Sequence, residues 1–83
     1  MNRSYIKTEL QKADGVEHVV MRTGDEWSVI AVSDDRRWLA VDGDGGDAYH
    51  VEVNTPGLVN ETVVSESELG EQLERYAEYL NEY

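Results

Sequence analysis

Asp42, Asp44 and Asp47 stand in the run Asp42-Gly43-Asp44-Gly45-Gly46-Asp47, and three carboxylates spread through glycine can gather hard oxygen ligands around a cation. Glycine lets the backbone between them bend sharply enough for the carboxylates to converge. The spacing does not complete the helix-loop-helix calcium pattern. Counting Asp42 as its first ligand puts Val53 where a bidentate glutamate is needed, and the flanking residues read as strands. A specific divalent site, loose condensation of cations and a plain hairpin loop all remain open readings, and the plain loop is the simplest.

The other reactive side chains are sparse. His18 and His50 are the only histidines, and nothing in the sequence brings them together. No serine, threonine or lysine stands in a relation to either that would activate a nucleophile. The absence of cysteine removes disulfides, thiolate nucleophiles and thiolate metal sites together. Among so many carboxylates some pair falls at glycosidase-like spacing by chance, so their number is no argument for catalysis. No catalytic residue is assigned, no cofactor is implied, and the chain reads as a non-enzyme.

Charge bounds the partners. Eighteen acidic residues against seven basic ones give a formal charge of -11 over 83 residues. Three readings fit: adaptation to concentrated salt, where screening keeps dense carboxylates from forcing the fold apart; mimicry of a nucleic acid towards a basic protein; and an ordinary solvated coat. With lysine only at positions 7 and 12 and no cysteine or phenylalanine, the composition resembles that of small acidic proteins of halophilic archaea. That resemblance implies a salty cytoplasm and no particular activity. Arginines at 3, 22, 36, 37 and 75 are too scattered to outweigh the acids, which argues against direct nucleic-acid binding. Neither a signal-peptide-length apolar stretch at the start nor a run of 18 apolar residues occurs, so a soluble cytoplasmic protein with no membrane contact is expected.

The elements follow from periodicity. Ile6, Leu10 and Ala13 share one face of a short helix over about 4–13, closed by Asp14-Gly15. From Val16 the period becomes two, giving strands over about 16–23, 26–33, 37–42 and 48–54, with a fifth within 61–64. Gly24-Asp25 reads as a two-residue type II′ turn, Asp35-Arg36 as the centre of a second tight turn, and Thr55-Pro56-Gly57-Leu58 as type II. Ser65 and Glu68 form a capping box, opening a helix over about 66–81 whose stripe is Leu69, Leu73, Tyr76, Ala77 and Leu80. The expectation is a single α+β domain: an antiparallel meander of four to five strands, with an N-terminal and a C-terminal helix packed mainly on one face.

The two early turns fix a register. A Gly24-Asp25 loop sets Val19 against Ile30, and an Asp35-Arg36 centre sets Val32 against Leu39. One face then carries Val19, Met21, Ile30, Val32, Leu39 and Val41 as the core. The other carries His18, Val20, Arg22, Trp27, Val29, Ala31, Trp38 and Ala40, too apolar for a solvated face. Arg22 opposite Trp27 suggests a cation-π contact at its rim. A second copy of the chain, the chain's own N-terminal helix or a foreign partner could cover this face, and the second copy is favoured because a small domain gains apolar burial by pairing. The functional expectation is a salt-adapted, non-catalytic interaction or accessory module, homodimeric through the tryptophan face and binding a further protein. A nucleic-acid mimic and a small-molecule or cation-binding domain are the alternatives.

Overall fold

The computed structural model describes residues 3–22, 27–34, 36–43 and 47–82. Helix α1 (Arg3–Lys12) precedes strands β1 (His18–Arg22), β2 (Trp27–Asp34), β3 (Arg37–Gly43), β4 (Ala48–Thr55) and β5 (Leu58–Ser65), and α2 (Glu66–Glu82) closes the described chain. The strands form one antiparallel sheet in the order β1-β2-β3-β4-β5, so every neighbour in space is a neighbour in sequence. The fold is the expected α+β meander with its two helices.

Both helices lie on the same face. α1 contacts β1 and β2, α2 contacts β3, β4 and β5, and the helices meet each other. Ile6 and Leu10 of α1, and Leu69, Leu73, Tyr76, Ala77 and Leu80 of α2, close over Val29, Ala31, Leu39, Val41, Tyr49, Val51, Val53 and Val64. The helical stripes are the ones the 3.6-residue period picks out.

Polar contacts fix the helix ends. At the start of α2 the Glu68 amide donates to Ser65 Oγ at 3.3 Å, the serine half of the Ser-x-x-Glu capping box, while the Ser65 hydroxyl donates to the Glu68 carboxylate at 3.4 Å. The last turn of α2 has no basic residue, so its carbonyls lack the usual positive partner. Arg37 of β3 supplies one, donating from Nη1 to Leu80 O at 2.7 Å while also pairing with Asp34 at 3.5 Å. Gly15, at φ +85°, is the left-handed residue that ends α1, and Asn81 of α2 donates to Asp14 O beside it at 2.8 Å.

The strand register differs from the sequence expectation in one systematic way. Val19 pairs with Ala31 rather than Ile30, because Arg22 pairs with Ser28 and no two-residue loop closes that register; Gly24-Asp25 itself lies outside the described residues. On the other side Asp34 does pair with Arg37, flanking the expected turn centre, and the Arg36 amide donates to Asp34 Oδ1 at 2.8 Å. The register then shifts between Val32 and Asp34, so that Val32 meets Trp38 and Ala31 meets Leu39. This irregularity at Ser33 has the effect of a β-bulge. Each neighbour of β2 is thus displaced by one residue, and a one-residue slip turns a strand over. β2 alone is inverted: Val29 and Ala31 are core, Ile30 and Val32 face away from the helices, and Val19, Met21, Leu39 and Val41 keep their expected side.

A second correction concerns the last turn. Gly57 does not take the positive φ that type II requires, although Thr55 and Leu58 pair across Pro56-Gly57 as expected. Thr55 is 3% exposed and its hydroxyl donates to Leu58 O at 3.2 Å, which satisfies the buried oxygen and locks the hairpin.

Two neighbouring residues test the inversion of β2. Val29 is fully buried, so Val29→Asp should cost upwards of about 3 kcal/mol and unfold this small domain, whereas Ile30→Asp should remain folded. Thermal denaturation followed by circular dichroism reads both, and the reverse order would restore the simple alternation.

Candidate functional site

With both helices on one side, the other side of the sheet carries no covering element among the described residues, and the register arranges it in three cross-strand rows. The first runs His18, Val32, Trp38, Asn54, Val59; the second Val20, Ile30, Ala40, Glu52, Glu61; the third Arg22, Ser28, Asp42, His50, Val63. The face is divided. Over β1, β2 and the first half of β3 it is mainly apolar, whereas towards β4 and β5 it gathers three carboxylates and a histidine.

The eight residues expected to form one patch are therefore split. His18, Val20, Arg22, Trp38 and Ala40 do share this open face. Trp27, Val29 and Ala31 lie on the helix side, where the Trp27 ring meets Tyr49 edge-on at 5.9 Å and presses on Gly43 so closely that a Cβ there would collide with it. The chain's own core covers these three. Arg22 pairs with Ser28, and Trp27 is on the other side of the sheet. Ile30 and Val32 take the vacated places beside Trp38, so the apolar patch survives with different members. Among the described residues, four large hydrophobic side chains are exposed, and three of them, Val20 (42%), Val59 (74%) and Val63 (66%), are on this face.

The expected metal residues are also redistributed. Asp42 lies on the open face at the end of β3, Asp47 is exposed just before β4, and Asp44 lies outside the described residues. The ligand atoms that converge belong to His50, Glu52 and Glu61, all within 4.8 Å of one another. His50 and Glu52 are two apart on β4 and so project from the same side, and Glu61 faces Glu52 directly across the β4–β5 ladder. His50 Nδ1 is 3.3 Å from Asp42 Oδ2, and Nε2 is 2.9 Å from Glu61 Oε1. Glu52 and Glu61 form a like-charge cross-strand pair, an arrangement that destabilises a sheet unless something positive intervenes.

This cluster escaped the sequence reading, although a signal for it existed. Counting outward from Pro56-Gly57 places Glu52 opposite Glu61 and His50 opposite Val63, and both partners fall within the expected 61–64 strand, but the sequence expectation pairs that strand with no neighbour. Beside the cluster, a cleft of about 540 Å³ opens between Arg22, Ser28, Asp42, His50 and Val63, with Trp27 and Tyr49 at its edge. No helix among the described residues is long and apolar enough to cross a membrane. No protein-family model, curated protein or solved structure matches the chain.

Desolvation of the partly buried His50 ring lowers its pKa, but the hydrogen bonds to Asp42 and Glu61 and the charges of both carboxylates raise it and prevail. The group is thus held above its ordinary 6.5, with Arg22 in the same row and Glu52 on its own strand as the other charged groups on this face. A raised folded-state pKa means that protonation favours folding. The contribution is complete below about pH 6.5 and is lost as pH rises through the folded value. Titration of the His50 ring by NMR should give a midpoint above 6.5, and Asp42→Asn or Glu61→Gln should move it down; a wild-type midpoint at or below 6.5 would mean the two pairs do not form.

Proposed function

We propose that this protein is a non-catalytic interaction module that associates with a second copy of itself through the open face of its sheet. The carrying observation is exposed Val20 beside half-buried Ile30, Val32 and Trp38 over β1–β3, on the face that no helix covers among the described residues; exposed Val59 ends the Trp38 row beyond Asn54, and exposed Val63 lies beyond His50 on β5. Soluble domains seldom leave a contiguous apolar surface without a use for it.

A second copy fits this face better than an unrelated occupant for two reasons. Sheets pack face to face at about 10 Å with strands nearly aligned, so two copies of the face that the helices leave open can stack directly. A two-fold axis placed over β1–β3 sets Ile30, Val32 and Trp38 of one protomer on the same residues of the other. The division of the face then puts Asp42, Glu52 and Glu61 at the wet rim, where they need no desolvation. Burial against a second copy also supplies the apolar area that a chain of this size lacks alone.

Two chains of charge -11 repel, so the association should tighten with salt, and the same screening should stabilise each protomer. This is how the composition supports a salt-adapted protein.

At about 3 M potassium chloride, where the screening length falls below about 3 Å, light scattering on a size-exclusion column should give twice the 9.4 kDa of one chain. Trp38→Glu should weaken the dimer at least about tenfold, or about 1.4 kcal/mol, while leaving the fold intact. A single-chain mass at millimolar protein would overturn the pairing, as would a dimer indifferent to Trp38→Glu. Lowering the salt to about 0.1 M, where screening reaches about 10 Å, should reduce both dimer and melting temperature; an unchanged melting temperature would remove the salt-adapted reading.

A further inference from the structure

We infer that His50, Glu52 and Glu61 form a binding site for a first-row divalent cation of the zinc and manganese class, with Asp42 as the residue that orients the histidine. The inference is independent of the pairing, since the cluster is built within one chain.

The donor set is the first reason. One imidazole nitrogen and two carboxylates suit zinc, manganese or ferrous iron, whereas calcium and magnesium favour oxygen ligands alone. The three side chains come from two adjacent strands and project from one side of a sheet, which leaves the solvent side of an ion open for water. Their ligand atoms lie within 4.8 Å of one another. Around a tetrahedral ion with bonds of about 2.1 Å, ligand atoms stand about 3.4 Å apart, a closure within reach of glutamate rotamers.

The second reason is the Asp42 contact. A ligating histidine commonly gives its other ring N–H to a carboxylate, which fixes the tautomer and aims the free nitrogen at the metal. Here Nδ1 faces Asp42 at 3.3 Å from the neighbouring strand, so Nε2 is the nitrogen directed at Glu61. An ion replaces the proton shared along that 2.9 Å line and reaches Glu52 beside it. The third reason is the like-charge pair. Glu52 and Glu61 oppose each other in register, and among the described residues no lysine or arginine forms an ion pair with either. A divalent cation removes that repulsion.

Calorimetric titration of the chelator-treated protein with zinc chloride, in about 1 M potassium chloride to screen diffuse attraction, should show one site per chain. His50→Ala and Glu61→Gln should each weaken it at least about tenfold, Asp42→Asn about tenfold through loss of orientation, and Glu74→Gln on α2 not at all. Glu52→Gln supplies a readout that a purely structural role would not move. It relieves the like-charge pair, so the zinc-free variant should melt at or above wild type, yet zinc should raise only the wild-type melting temperature. Manganese should broaden the amide signals of residues 50, 52 and 61 before those of α2. Equal zinc affinity in wild type and His50→Ala, or broadening that begins along the α2 glutamates, would overturn the site.

Discussion

Every side chain in this sheet is committed to one of two faces by the parity of the hairpin registers, and the rest of the structure depends on that commitment. Period two allows no compromise: a slip of one residue exchanges everything a strand buries for everything it exposes. Because α1 and α2 cover only one face, parity decides which residues become core and which become surface. The irregularity at Ser33 and the Arg22–Ser28 pairing together turn β2 over, while β1 and β3 keep the side that alternation assigns them.

What made β2 illegible is visible in its residues. Ser28, Ile30 and Val32 alternate with Trp27, Val29 and Ala31, and the two sets are about equally apolar, so the pattern offers no preference and turn counting has to decide. The first turn lies outside the described residues, and at the second the shift between Val32 and Asp34 undoes a correct count within two positions. Where one face is plainly polar the reading holds. In β4 His50, Glu52 and Asn54 alternate with Tyr49, Val51 and Val53, and in α2 the stripe and cap are strong, so both emerge as the sequence implies. The elements and their order were therefore legible throughout. The candidate site was not, because it needs the β4–β5 pairing that sets Glu61 against Glu52 and, for Asp42, the β3–β4 register, which a glycine-rich connection leaves undetermined.

The same parity explains why the open face is chemically divided. Inverting β2 withdraws Trp27 into contact with Tyr49 and Gly43, and puts Ile30 and Val32 out beside Trp38. The open face thereby gains two aliphatic side chains and keeps one of its two tryptophans. At the far side Glu52 and Glu61 are in opposition because Thr55 and Leu58 pair across the turn, and that pairing is held by the buried Thr55 hydroxyl. The hairpin's stability thus maintains an electrostatic conflict that His50 relieves only in part.

The large negative charge then acquires a specific geometry. Glu71, Glu74, Glu78 and Glu82 occupy the exposed side of α2, where carboxylates reach solvent freely and screening relieves their repulsion. Acids at the end of a helix oppose its dipole, and the fold offsets this with Arg37, drawn from β3 rather than from α2 itself. On the open sheet face the acids are confined to Asp42, Glu52 and Glu61, clustered around one histidine and away from Ile30, Val32 and Trp38. A coat of charge serving solubility alone has no reason to leave that corner bare, because spreading the carboxylates evenly lowers their mutual repulsion. The segregation leaves the helix side carrying the acids of α2, and the sheet side carrying the apolar surface of β1–β3 and the converging ligand atoms of His50, Glu52 and Glu61.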